Sequence, residues 1–133
     1  MNKEFVPYKE SLDLKELGFD EPCFGFYKLD NIDVYYDTIL QGNKHKFRSN
    51  TELNFYGDLK EKISAPTFSQ AFRWFREKYN LYQFVHYHSR PEYTFAIYND
   101  IEMNWTLHEK VSFNTYEEAE LECLRKLIEI TKR

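Results

Sequence analysis

The chain has 133 residues, enough for one domain with its own core and too few for two comfortable ones. Charged residues make up 30% and hydrophobic residues 42%, which excludes a disordered chain, and no run of about 18 apolar residues is present to span a membrane. The net charge of −4 removes any global electrostatic attraction to nucleic acid.

The first ten residues, MNKEFVPYKE, are polar and lack the apolar centre of a secretory leader, so a cytoplasmic protein is expected. A helix is predicted from Pro7, as its first helical residue, to Leu17, with Gly18 as the stop. Cys23–Leu29 and Ile32–Tyr36 read as a strand pair about an Asp30-Asn31 turn. From Gln41 to Ile63 the patterning weakens into a loop or insertion, with one short strand or helical turn expected within Leu53–Ile63. Thr67 and Gln70 form a capping box before a helix, TFSQAFRWFREKYN, that ends at a left-handed Asn80. Phe68, Ala71, Phe72, Phe75 and Tyr79 make one face of that helix. Leu81–His88, Tyr93–Tyr98 and a segment in which Met103, Trp105 and Leu107 alternate read as three successive strands. A second capping box, Thr115 to Glu118, opens the last helix. Acids crowd its start and cations its end, as the helix dipole favours.

The order is α-β-β-(loop)-α-β-β-β-α. It predicts an α+β fold within a single compact domain, 1–133, with helices packed on one face of antiparallel sheet. The last helix carries Tyr116, Ala119, Cys123, Leu127 and Ile130 beside Leu121, Leu124 and Ile128. That apolar arc is wider than one sheet contact needs, so either two elements cover it or part of it meets another subunit as a homo-oligomer contact. Cys23 and Cys123 stand alone without CxxC spacing and read as reduced, buried small hydrophobes.

Aromatic residues reach 19%, with 12 Phe and 11 Tyr, which fits either an aromatic interface or a coding bias towards such residues. Charge is uneven. Lys44, Lys46, Arg48, Lys60, Lys62, Arg73, Arg76 and Lys78 outnumber Glu52, Asp58, Glu61 and Glu77 between Leu40 and Tyr79. Trp74 lies off the Phe68–Tyr79 stripe with Arg73 and Arg76 near it. These three, with Lys44, Lys46 and Arg48 of the basic loop, form the candidate binding site: Arg beside an exposed Trp serves a protein hot spot or a stacked base. His86 and His88 would share one face of a strand as half of a metal site, but no third ligand stands at a telling spacing, so neither metal nor cofactor is expected. No phosphate-binding glycine loop is present, and Cys123 on an apolar helix face is poorly placed for nucleophilic work.

Three stretches, KELGFDEPCFGFY, SAPTFSQAFRWFREKYNLY and NTYEEAELECLRKLIEI, resemble a set of uncharacterised small proteins of gut Bacteroidetes and their phages and prophages. The resemblance spans most of the chain outside roughly 38–62. It implies a mobile-element origin and a cytoplasmic site of action, and carries over no catalytic residue. Together these features predict a non-enzymatic accessory protein that binds a host protein or itself. The alternatives are a nucleotide or single-strand nucleic-acid binder, including a small-ligand sponge, and a small metal-dependent enzyme built on His86 and His88.

Overall fold

The computed structural model of the chain describes residues 4–28, 34–36, 50, 62–90 and 92–132. Helices and antiparallel sheets make the α+β fold the sequence predicts. By their contacts the residues separate into two compact units, Met1–Thr67 and Phe68–Arg133.

The first unit holds α1 (Tyr8–Glu16) and strands β1 (Gly25–Lys28), β2 (Val34–Tyr36) and β3 (Lys62–Ala65). Pro7 is the N-cap of α1, with extended ψ of 162°, rather than its first helical residue, and its carbonyl accepts from Ser11 N at 2.8 Å. Gly18, at φ 98°, ends the helix where a Cβ would clash. The sheet order is β2-β1-β3, antiparallel throughout, so β1 is central. The expected hairpin is therefore present, while its Asp30-Asn31 turn lies outside the described residues. β3 brings the far end of the weakly patterned segment back to β1, with Tyr27 opposite Ile63.

Phe5, Tyr27, Ile63 and Ala65 form the core of this unit, with Tyr8, Leu12 and Phe24 packed against it. The Tyr27 hydroxyl donates to Val6 O at 2.8 Å and Ser11 Oγ to the same carbonyl at 3.1 Å, so the buried polar groups are matched. Asn50 is buried too: its Nδ2 donates to Phe19 O at 2.8 Å and its Oδ1 accepts from Ser64 N at 2.9 Å. One amide thereby pins a loop carbonyl and a strand amide.

The second unit holds α2 (Phe68–Tyr79), β4 (Leu81–Ser89), β5 (Glu92–Asn99), β6 (Asn104–His108) and α3 (Tyr116–Thr131). Asn80, at φ 58°, turns the chain from α2 straight into β4. The strands form a meander in the order β4-β5-β6, antiparallel. α3 lies against β4 and β5, and α2 against β4 and α3. Thr115 caps α3 by accepting from Glu118 N at 3.1 Å, as the sequence predicts. Its buried residues are Ala119, Cys123, Leu124, Leu127 and Ile128. Contact with both the sheet and α2 accounts for the wide apolar arc of this helix.

Candidate functional site

The sequence places the candidate contact at Trp74, Arg73 and Arg76 of α2 with Lys44, Lys46 and Arg48. Trp74 is only 7% exposed. Its ring meets Phe75 edge-on at 5.1 Å and Tyr79 at 5.5 Å, and Lys78 Nζ lies 5.0 Å over it. The physical reason is the company α2 keeps. α2 touches both β4 and α3, and its buried set of Phe68, Ala71, Phe72, Trp74 and Phe75 is wider than one stripe. Arg76 is half-buried and donates to Gln83 Oε1 of β4 at 3.2 Å, which ties helix to sheet. Arg73 is exposed and pairs loosely with Glu77 one turn on, at 3.9 Å. Lys44, Lys46 and Arg48 lie outside the described residues.

The structure gathers aromatic rings elsewhere, on the open face of the β4–β5–β6 sheet. Residues alternate between faces along a strand, so register decides which rings meet. Phe95 and Ile97 point to the helices and are fully buried. Tyr82 pairs with Tyr98, Phe84 with Ala96 and His86 with Thr94, all on the opposite face. β6 completes it: Tyr98 faces Trp105, and Ala96 faces His108.

A bulge at Thr106 produces this placement. Ile97 pairs with Leu107 and Tyr98 with Trp105, so Thr106 is the additional residue. Without it, Trp105 and Leu107 would share a face, as their alternation in sequence predicts. With it, Leu107 joins Ile97 on the helix side and Trp105 is turned to the open side. Met103, expected in the same strand, instead lies in the preceding turn at φ 56°. Asn99 Oδ1 holds that turn by accepting from Ile101 N and Glu102 N at 2.9 and 3.0 Å.

The rings touch one another. Trp105 meets Phe84 at 5.5 Å, Tyr98 at 5.1 Å and His108 at 4.6 Å between centroids. Ala96, the small residue at the centre, is buried amid this ring-rich face, on the side opposite α2 and α3. Tyr82, Phe84 and Trp105 remain 38%, 47% and 48% exposed. The strands β4, β5 and β6 contain no Lys or Arg. The platform is therefore broad and ring-rich, and its strands carry no cation. Part of the signal for it was present in the sequence: Tyr82 and Phe84 alternate with Leu81 and Val85, so rings fall on the face opposite the apolar one, which a strand with one wetted polar face does not need.

His86 is exposed, while the His88 side chain lies outside the described residues. Among the described residues no three His, Cys, Asp or Glu side chains gather as a metal site requires. Cys23 and Cys123 are buried free thiols. Burial, together with the Glu21 charge and against a hydrogen bond from Ser64, pushes the Cys23 thiol up to about 12, and burial with the Glu120 charge pushes Cys123 up as well. Neither has thiolate character at neutral pH. Glu120, half-buried on α3 near Glu117, is raised to about 7, chiefly by desolvation. Among the described residues no helix is long and apolar enough to cross a membrane. No family model matches the chain, and neither a curated protein nor a solved structure matches it.

Proposed function

We propose that this protein is a non-enzymatic binding module, of the mobile-element accessory kind that its sequence resemblance implies, and that it acts through the open face of the β4–β5–β6 sheet upon a protein surface. One observation carries the reading: exposed Tyr82, Phe84 and Trp105, joined through half-buried Tyr98, form a ring platform that the fold of its own unit does not cover. Exposed contiguous aromatic surface on a folded chain marks a contact, and Trp and Tyr dominate the energetics of such contacts. The ligand class follows from charge. A sheet that stacks bases places Lys or Arg beside its rings to meet phosphate, and these three strands supply none.

The test compares the wild type with a Phe84→Ala, Trp105→Ala variant shown to be folded by circular dichroism. Complexes recovered by native purification, self-complexes included, are measured by mass spectrometry and sizing. The variant is expected to lose the protein complex that the wild type forms. Unchanged complexes would overturn the reading. So would tight binding of ATP or a short oligothymidylate that weakens steeply as salt rises, because that behaviour belongs to phosphate-led recognition.

A further inference from the structure

We propose that β4 is a pairing edge for a second copy of this chain, and that the two β4 strands join antiparallel about a two-fold axis near Phe84 to make one six-stranded sheet. The inference rests on the reading of this sheet as a protein contact, and it names the partner and the mode.

The first observation is the unpaired backbone. Asp100 N donates to Asn80 O at 3.0 Å, which fixes the phase of the β4–β5 ladder. With that phase Tyr82, Phe84 and His86 turn their backbone groups towards β5. Leu81, Gln83, Val85 and Tyr87 turn theirs outward. Among the described residues no backbone group bonds to them there, and β4 is the terminal strand of its sheet. The second observation is the asymmetry of the two edges. β6 is short, is broken by the Thr106 bulge and is flanked by Glu102, Glu109 and Lys110, which are the usual protections of an edge. β4 is nine residues long. It contains no Lys, Arg, Asp, Glu, Pro or Gly, and its one irregularity lies at its end, between Tyr87 and Ser89.

The third observation selects the occupant. In a two-fold contact every side chain meets either its own copy or its mirror position, so any charge meets a like charge or must find a partner within the same strand. A strand without charged residues satisfies this condition with no repulsion. With the axis at Phe84, the two Phe84 rings oppose one another, Tyr82 opposes the partner's His86, and Gln83 opposes the partner's Val85. The open-face pairs are then all ring against ring, and the aromatic platform continues across the axis on both copies.

The experiment uses the full chain. Sedimentation equilibrium is expected to show a species of twice the 16.3 kDa chain mass at high concentration. Val85→Pro removes an outward N–H while sparing the β5 ladder, since that N–H points away from β5. It is expected to weaken self-association about 30-fold, because two backbone bonds are lost across the axis. Independently, Phe84→Cys is expected to give a covalent dimer on mild oxidation, since the facing Cα atoms of such a pair lie about 4.5 Å apart. Tyr87→Cys, off the axis and on the other face, is expected to give none. A wild type that stays monomeric at all concentrations overturns the inference, as does a Phe84→Cys variant that fails to cross-link. A dimer that survives Val85→Pro but is lost in Trp105→Ala also overturns it, in favour of face-to-face association. The last result leaves the protein-contact reading standing, whereas ring variants that leave every complex intact sink that reading alone.

Discussion

The two faces of the β4–β5–β6 sheet are built from similar residues and have opposite fates. On the helix side Phe95 is 1% exposed, while on the open side Phe84 keeps nearly half its surface in water, although the two lie on adjacent strands. Ring content therefore does not distinguish core from open surface in this protein. Helix coverage does: α2 and α3 lie on one face of this sheet, and no helix of this unit covers the other. A chain that is 19% aromatic has more ring surface than one layer of helices conceals.

The sharpest way to break this comparison is to truncate one ring on each face. Phe95→Ala should cost about 3–5 kcal/mol in denaturant unfolding, as ring-to-Ala changes in cores do. Phe84→Ala should cost no more than about 1 kcal/mol, the scale of a cross-strand ring contact at a partly wetted site. Equal costs would show that the open face is core to something the described residues do not reveal.

The cap of α3 gives a smaller effect on the covered side. Thr115→Ala leaves Glu118 N without its acceptor and should lower stability by about 1 kcal/mol, with no loss of complex formation. A parallel loss of binding would mean that the two faces are coupled through α3.

Glu120 sharpens the comparison through pH. Its carboxyl is raised to about 7 in the folded chain by burial and by Glu117, above its ordinary value of 4.5. The folded state then binds the proton more tightly than the unfolded state, so stability declines as pH rises from about 4.5 to about 7, and the penalty is complete above that. Because the group is half-exposed, screening holds the effect to about 1 kcal/mol. Glu120→Gln should flatten this part of the profile and equal or exceed the wild type in stability at pH 8. A steeper slope in the variant would mean that another group titrates there.

The parts legible in the sequence were those governed by neighbours along the chain. Thr115 with Glu118, Asn80 at the end of α2, Gly18 at the end of α1 and the Phe68–Phe75 stripe all follow from local geometry, and each stands where its spacing put it. What misled was set by contacts distant in sequence. Trp74 looked free because it lay off a stripe, yet the stripe describes burial against one surface and α2 meets two. Trp105 looked like the neighbour of Leu107 on one face, because a bulge is a property of a strand pair and not of a strand. The exposed rings thus lie not at Trp74 of α2 but on strands whose register only the assembled sheet defines.

The contrast between the two tryptophans has a practical consequence. The chain contains two, Trp74 enclosed by Phe75 and Tyr79, and Trp105 open to water beside His108. An enclosed indole emits at shorter wavelength than a solvated one and is shielded from collisional quenchers. Intrinsic fluorescence excited at the red edge therefore carries two separable signals without any label. The blue component reports the integrity of the second unit, and the quencher-accessible red component reports the surroundings of the open sheet face. The protein holds its own built-in pair of optical reporters, one for the enclosed core of the second unit and one for its open sheet face.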